Sequence, residues 1–140
     1  MKISLVIPGP PVGKGRPRFT RQGHAFTPKK TRTHEAFIKA LFVQKYGTDF
    51  APLEGPLEMD VLVFFPIPAS ASKKRRHDMT WGVECPTKRP DLSNAIKAAE
   101  DALNGLAYRD DAQIVSFAAV KKYSNNAHTE IKVRPVGEEP

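Results

Sequence analysis

Cysteine is almost missing from this chain of 140 residues, where Cys85 stands alone. A lone thiol excludes an intramolecular disulfide and any cysteine-built zinc site within one chain. Long apolar runs are missing too. Nothing approaches the roughly 18 successive apolar residues that a membrane helix requires, and no signal-like apolar stretch follows Met1. The expected setting is therefore cytoplasmic, with no membrane partner. His24, His34, His77 and His128 show no metal-ligand spacing. The chain also has no internal repeat, which sets aside solenoids and propellers.

What is present is the composition of one globular domain spanning residues 1–140, 40% hydrophobic and 26% charged. Such a length buries about two-thirds of its unfolded surface and needs no covalent staple. The net charge of +7 is unevenly spread: residues 1–50 carry +8, residues 51–90 carry +1 and residues 91–140 carry −2. A basic front and an acidic back fit a polyanion-binding surface around a metal centre. Between Lys14 and Arg32 lie seven cations (Lys14, Arg16, Arg18, Arg21, Lys29, Lys30 and Arg32) and no acid, with Phe19 and Phe26 interleaved. Guanidinium forks suit bidentate phosphate contacts, so residues 14–32 read as a DNA-binding arm with an aromatic wedge. Lys73, Lys74, Arg75 and Arg76 form a second basic patch inside a polar, exposed excursion over residues 70–89.

Periodicity supplies the elements between these segments. KISLVI alternates over Lys2–Ile7 and reads as a strand, ended by a Pro- and Gly-rich stretch. A helix is expected from about Thr31 to a stop at Gly47, with Phe37, Leu41 and Gln44 as its inward row and Ile38, Phe42 and Lys45 beside them. Leu57–Phe65 alternates and ends aromatic, which predicts a strand. A second helix is expected over about Leu92–Asn104, buried along Leu92, Ile96, Ala99 and Leu103 and closed at Gly105. Strands near Ala112–Lys122 and Thr129–Arg134 follow, joined by SNNAH, whose asparagines tolerate positive φ. The order β-α-β-α-β-β predicts an α+β fold, one mixed sheet packed against two helices.

The stretch Lys88–Ile114, KRPDLSNAIKAAEDALNGLAYRDDAQI, concentrates carboxylate in a basic chain. Taken singly, Asp91 is a helix cap worth about 1 kcal/mol. Ser93, Lys97, Glu100, Asp101 and Asn104 share a polar helix face, and Asp110 and Asp111 are turn residues before a strand. Taken together they read differently. If strand and helix pack side by side, Asp91, Asp110 and Asp111 converge, with Lys97 along the helix. Clustered carboxylates repel unless a cation neutralises them, and Mg²⁺ or Mn²⁺ takes such oxygen ligands. An ion held there would activate a phosphodiester, and a neighbouring lysine would stabilise phosphoryl charge.

Three blocks of this sequence, GPPVGKGRPRFTR with FTPKKTRTHE, KRPDLSNAIKAAEDALNG, and AYRDDAQIV, resemble the RusA-type Holliday junction resolvases of phage and prophage origin. The likeness runs in order from about residue 8 to residue 135. It implies a homodimeric, Mg²⁺-dependent endodeoxyribonuclease that nicks two opposed strands of four-way junction DNA. It places the catalytic residues on Asp91, Lys97 and Asp111, the metal ligands on Asp91, Asp110 and Asp111, and motif support on Asn94 and Asp101. Ser93 departs from the family pattern, which has its second aspartate there. Glu100 and Asp101 lie seven and eight residues beyond Ser93, about 10 Å along a helix, too far to fill the same coordination position. Alternative readings are a catalytically weakened junction-binding protein and an RNA-binding module whose acids are caps and turns.

Overall fold

The structure, a computed structural model, describes residues 1–15 and 18–139. Its centre is a four-stranded mixed sheet in the order β1-β6-β4-β5, formed by β1 (Ile3–Pro8), β4 (Leu57–Pro66), β5 (Ile114–Ser124) and β6 (His128–Pro135). Only β4 and β5 run parallel. A parallel pair needs a crossover, and that crossover holds helix α3 (Leu92–Leu103). Helix α1 (Lys29–Tyr46) packs beside α3 on the same side of the sheet. The expected α+β order is present. A two-residue hairpin of β2 (Arg18–Phe19) and β3 (Ala25–Phe26) precedes α1.

Strict alternation makes the sheet one-sided. Leu57, Met59, Val61, Val63 and Phe65 of β4 are buried, as are Ile3, Leu5 and Ile7 of β1 and Ile131 and Val133 of β6. Against them lie Ile38 and Phe42 of α1 and the small residues Ala95, Ala99 and Ala102 of α3. Helix α1 is rotated from the row expected from sequence, while α3 keeps Ala99 and Leu103 of its expected row buried. In α1 the buried row is Thr31, Ile38 and Phe42, while Phe37 is exposed. Phe42 wins because its ring packs against Tyr46 and Phe50, with centroids 5.0 and 5.4 Å away. In α3, Leu92 and Ile96 are only half-buried, and alanines form the close contact. Phe42→Ala should therefore cost about 3–5 kcal/mol in urea unfolding. Phe37→Ala should cost under about 1 kcal/mol, and equal losses at the two positions would refute this choice of row.

Two further expectations change. The excursion over residues 70–89 contains a third helix, α2 (Lys73–Thr80), capped by the Ser72 side chain and anchored by buried Met79. With one apolar anchor in KKRRHDMT it has no period for a sequence pattern to show. The turn after β5 uses no positive φ outside glycine among the described residues; instead Asn126 N–H donates to the Ser124 hydroxyl at 3.1 Å. No helix among the described residues is long and apolar enough to cross a membrane.

Candidate active site

Asp91 is the N-cap of α3, its Oδ1 accepting from the Asn94 N–H at 3.0 Å. With Arg89, Pro90 and Asn94 it lines a polar cleft. The other end of the acidic stretch is built by a different device. Tyr108, fully buried, donates its hydroxyl to the Glu100 carbonyl at 2.6 Å and fixes the loop leaving α3. Asp110 then caps a single 3₁₀ turn, Asp111–Gln113, in a reciprocal capping box with Gln113. The Gln113 side chain accepts from the backbone of Arg109 and Asp110 at 2.9 and 3.0 Å, and donates to the carbonyls of Leu53 and Gly55. Every polar atom of that amide is committed, so the turn presenting Asp111 is held firmly.

Asp111 faces α3. Lys97 Nζ lies 3.1 Å from Asp101 Oδ1 and 3.8 Å from Asp111 Oδ2. Asp111 is near enough to Glu100 to act on its ionisation. Burial raises the Glu100 pKa above the usual carboxylate range, and the neighbouring Asp111 adds to the rise while Lys97 opposes it. The hydrogen bond to Asp101 and the charges of Asp101, Glu100 and Asp111 hold the Lys97 pKa above the ordinary lysine value, against a smaller effect of burial. Lys97 is thus a fixed positive charge, unsuited to act as a base.

Within one chain the site gathers Lys97, Glu100, Asp101 and Asp111, and it leaves Asp91 and Asp110 on their caps. The reason is direction. Lys121, near the end of β5, donates to the Lys88 carbonyl at 2.8 Å, while Asp111, just before β5, meets Glu100. Helix α3 therefore runs against β5, and the strand's start lies beside the helix's second half. Among the described residues no group of three His, Cys, Asp or Glu side chains converges tightly enough to hold a metal ion. The Glu100–Asp111 pair nevertheless fits Mg²⁺ in its chemistry, as two neighbouring carboxylates offering all-oxygen donors to an ion that keeps several waters. Spacing from Ser93 along the helix hides Glu100; the distance that matters is to Asp111, across the loop. Gln113 is visible in DDAQ, which has the capping-box spacing.

The Glu100–Asp111 contact carries a pH prediction. A carboxyl with a folded pKa above its unfolded value binds protons more readily in the folded protein. Stability then falls as pH rises from the unfolded value, near 4.5, through the folded one. Glu100→Gln should flatten that decline in metal-free thermal melts and remove any Mg²⁺-induced rise in Tm. An unchanged Mg²⁺ shift would remove Glu100 from the site.

The basic segment divides. Arg18, Arg21, Lys29, Lys30 and Arg32 are exposed, and Phe19 and Phe26 stand out on the hairpin at 70% and 44% exposure. Arg16 lies outside the described residues. Lys14 corrects the expectation of a phosphate contact: its Nζ pairs with Glu35 at 2.7 Å and Asp101 at 3.1 Å. Its flanking glycines allow this. A Cβ on Gly13 would sit 2.8 Å from Pro90 Cβ, and one on Gly15 would sit 2.6 Å from Thr31 Oγ1. Lys14 N–H also donates to the Asn94 carbonyl at 3.0 Å, so this loop clasps α3 to α1. In the second patch Lys73 and Lys74 are exposed, Arg75 is forked onto Glu84 at 3.1 and 2.9 Å, and Arg76 donates to the Pro68 carbonyl.

A family model described as endodeoxyribonuclease RusA matches residues 8–134, nearly the whole fold and all of this site. The chain belongs to the RusA endodeoxyribonuclease family. A protein of Bacillus subtilis (strain 168) described as "Uncharacterized protein YqaN" is 36% identical over 139 residues, covering 96% of each chain. In RusA-family terms, the block KRPDLSNAIKAAEDALNG is α3 with its cap, and AYRDDAQIV is the capped turn entering β5.

Proposed function

We propose that this RusA-family protein is a Mg²⁺-dependent, structure-selective endodeoxyribonuclease. Acting as a homodimer in the cytoplasm, it resolves four-way DNA junctions by paired symmetric nicks. The observation that carries the reading is the Lys97–Asp111–Glu100 cluster, set on a rigid turn beside an exposed basic arm. Asp111 and Glu100 would hold the ion, with Asp110 behind them as the residue that shapes the turn. Asp91 is the acidic member of the neighbouring cleft with Arg89 and Asn94. Bound there, Mg²⁺ would polarise the phosphodiester and lower the pKa of a water.

The chain's own groups supply the rest. Lys97 remains protonated beside Asp111 and offers its charge to phosphoryl oxygens. Arg18, Arg21, Lys29, Lys30, Arg32, Lys73 and Lys74 neutralise backbone phosphates, and exposed Phe19 and Phe26 offer ring faces to unstacked bases at the crossover. A four-way junction has approximate twofold symmetry, so a C₂ dimer would set one site on each of two strands.

Ser93 favours a second reading. It stands exposed on α3, four residues before Lys97, with no charge to offer a cation. A protein that binds junctions and cuts them poorly would carry this change. Nicking of an end-labelled four-way junction with and without Mg²⁺, against linear duplex, tests both. Symmetric nicks from the wild-type protein support the resolvase. Tight junction binding without cleavage, restored by Ser93→Asp, supports the binder. Equal affinity for junction and duplex would end both.

A further inference from the structure

Strand β5 forms one edge of the sheet, paired with β4 at every residue but Val115, where the register shifts by one, and, among the described residues, with no strand on its other side. A long edge with unpaired N–H and C=O groups is a template for another strand, and folded proteins normally cover it or blunt it. Here only the far end is covered. Helix α2 packs toward β5, the Lys88 ammonium lies 6.0 Å from the Tyr123 ring centroid, and Lys121 reaches the Lys88 carbonyl. The near half is bare: Val115, Ser116, Phe117 and Ala118 are all exposed, Val115 at 64% and Phe117 at 44%. The register sets Phe117 on the helix side, beside Met59, and Ser116 and Ala118 on the open side, beside Glu58 and Asp60. Both faces of the same four residues are uncovered, which is the signature of a missing neighbour in the sheet.

We propose that β5 pairs antiparallel with β5 of a second copy across a twofold axis, joining two four-stranded sheets into one. This inference rests on the homodimer reading above and names its interface. Charge selects the occupant. The strand is entered through the acids Asp110 and Asp111 and leaves through the cations Lys121 and Lys122, so an antiparallel copy opposes acid to base at both ends. Symmetry narrows the register. An axis perpendicular to the sheet keeps each side chain on its own face, so the residue on the axis meets its own copy. With Ser116 on the axis, Val115 lies against the partner's Phe117, and Lys121 and Lys122 approach the partner's Asp111 and Asp110. With Phe117 on the axis, Lys121 would instead oppose the partner's Gln113 and the match is lost.

The test uses the full chain with Cys85→Ser, which removes the one native thiol. Opposed residues of an antiparallel pair have Cα atoms about 4.5–5.5 Å apart, within disulfide range. Ser116→Cys should oxidise to a covalent dimer under diamide. Val120→Cys, four residues off the axis and so about 25 Å from its own copy, should not. The double variant Val115→Lys/Phe117→Lys should sediment as a monomer where wild type sediments as a dimer. Should wild type be dimeric while Ser116→Cys fails to link, or link no better than Val120→Cys, the β5 interface is wrong and the homodimer reading survives. Persistence of the dimer in the double lysine variant would overturn the interface in the same way. A monomeric wild type at tens of micromolar would remove the homodimer reading and the interface with it.

Discussion

Asp111→Asn should leave junction binding close to wild type and slow Mg²⁺-dependent nicking by about 10³-fold, the scale of losing one preorganised electrostatic group or more. Asparagine keeps the shape and one oxygen, so the turn closed by Asp110 and Gln113 should form unchanged. What is lost is the charge facing Lys97 and Glu100. Single-turnover cleavage of a labelled junction measures the rate, and a gel-shift in EDTA measures binding. Nicking within threefold of wild type would show that the chemistry lies elsewhere. Asp110→Ala is the matching control: it removes the cap, so a smaller loss accompanied by a lower Tm is expected.

Salt should act almost as strongly on binding. If about six phosphates are neutralised, affinity should fall by roughly 10³ between 50 and 200 mM monovalent salt, a slope near −5 in log–log form. The residues responsible can be separated. Removing Arg18 and Arg21 together should lower the slope by about 2. Lys14→Ala should leave the slope unchanged, because its ammonium is already held by Glu35 and Asp101, and should instead lower Tm. A reduced slope for Lys14→Ala would mean that this pair opens when DNA binds.

Sequence carried the architecture well and the site in part. Alternation in Leu57–Phe65 and the cap-to-glycine frame of α3 are local signals, and both elements formed where they indicated. Which row of a helix faces the core is not local. Phe37–Leu41 and Ile38–Phe42 offer equally good i, i+4 rows, and only the rings of Tyr46 and Phe50 separate them. The same limit governs the charges. Lys14 looks like its basic neighbours until two glycines let it fold under α3, and Glu100 looks like a solvated acid until the loop leading into β5 brings Asp111 back beside the helix. Lys97 and Asp111 were legible because one motif fixes their order along the chain and one helix-to-strand return joins them.

The clasp at Gly13–Gly15 also sets a length. Gly15 N–H is bound to the Thr31 hydroxyl and Pro28 caps α1, so the chain on both sides of the β2–β3 hairpin is moored at the start of one helix. Tethered in this way, a chain spans at most half its contour, roughly 20 Å at about 3.5 Å per residue. Phe19 lies four residues from Gly15 and Phe26 two from Pro28, so their backbones reach at most about 14 and 7 Å from those anchors. An arm of that length is too short to encircle a duplex. Under the proposed function, preference for a junction over linear DNA would rest on strands that already part within that short reach, so the anchor of the arm would set the scale on which DNA shape is read.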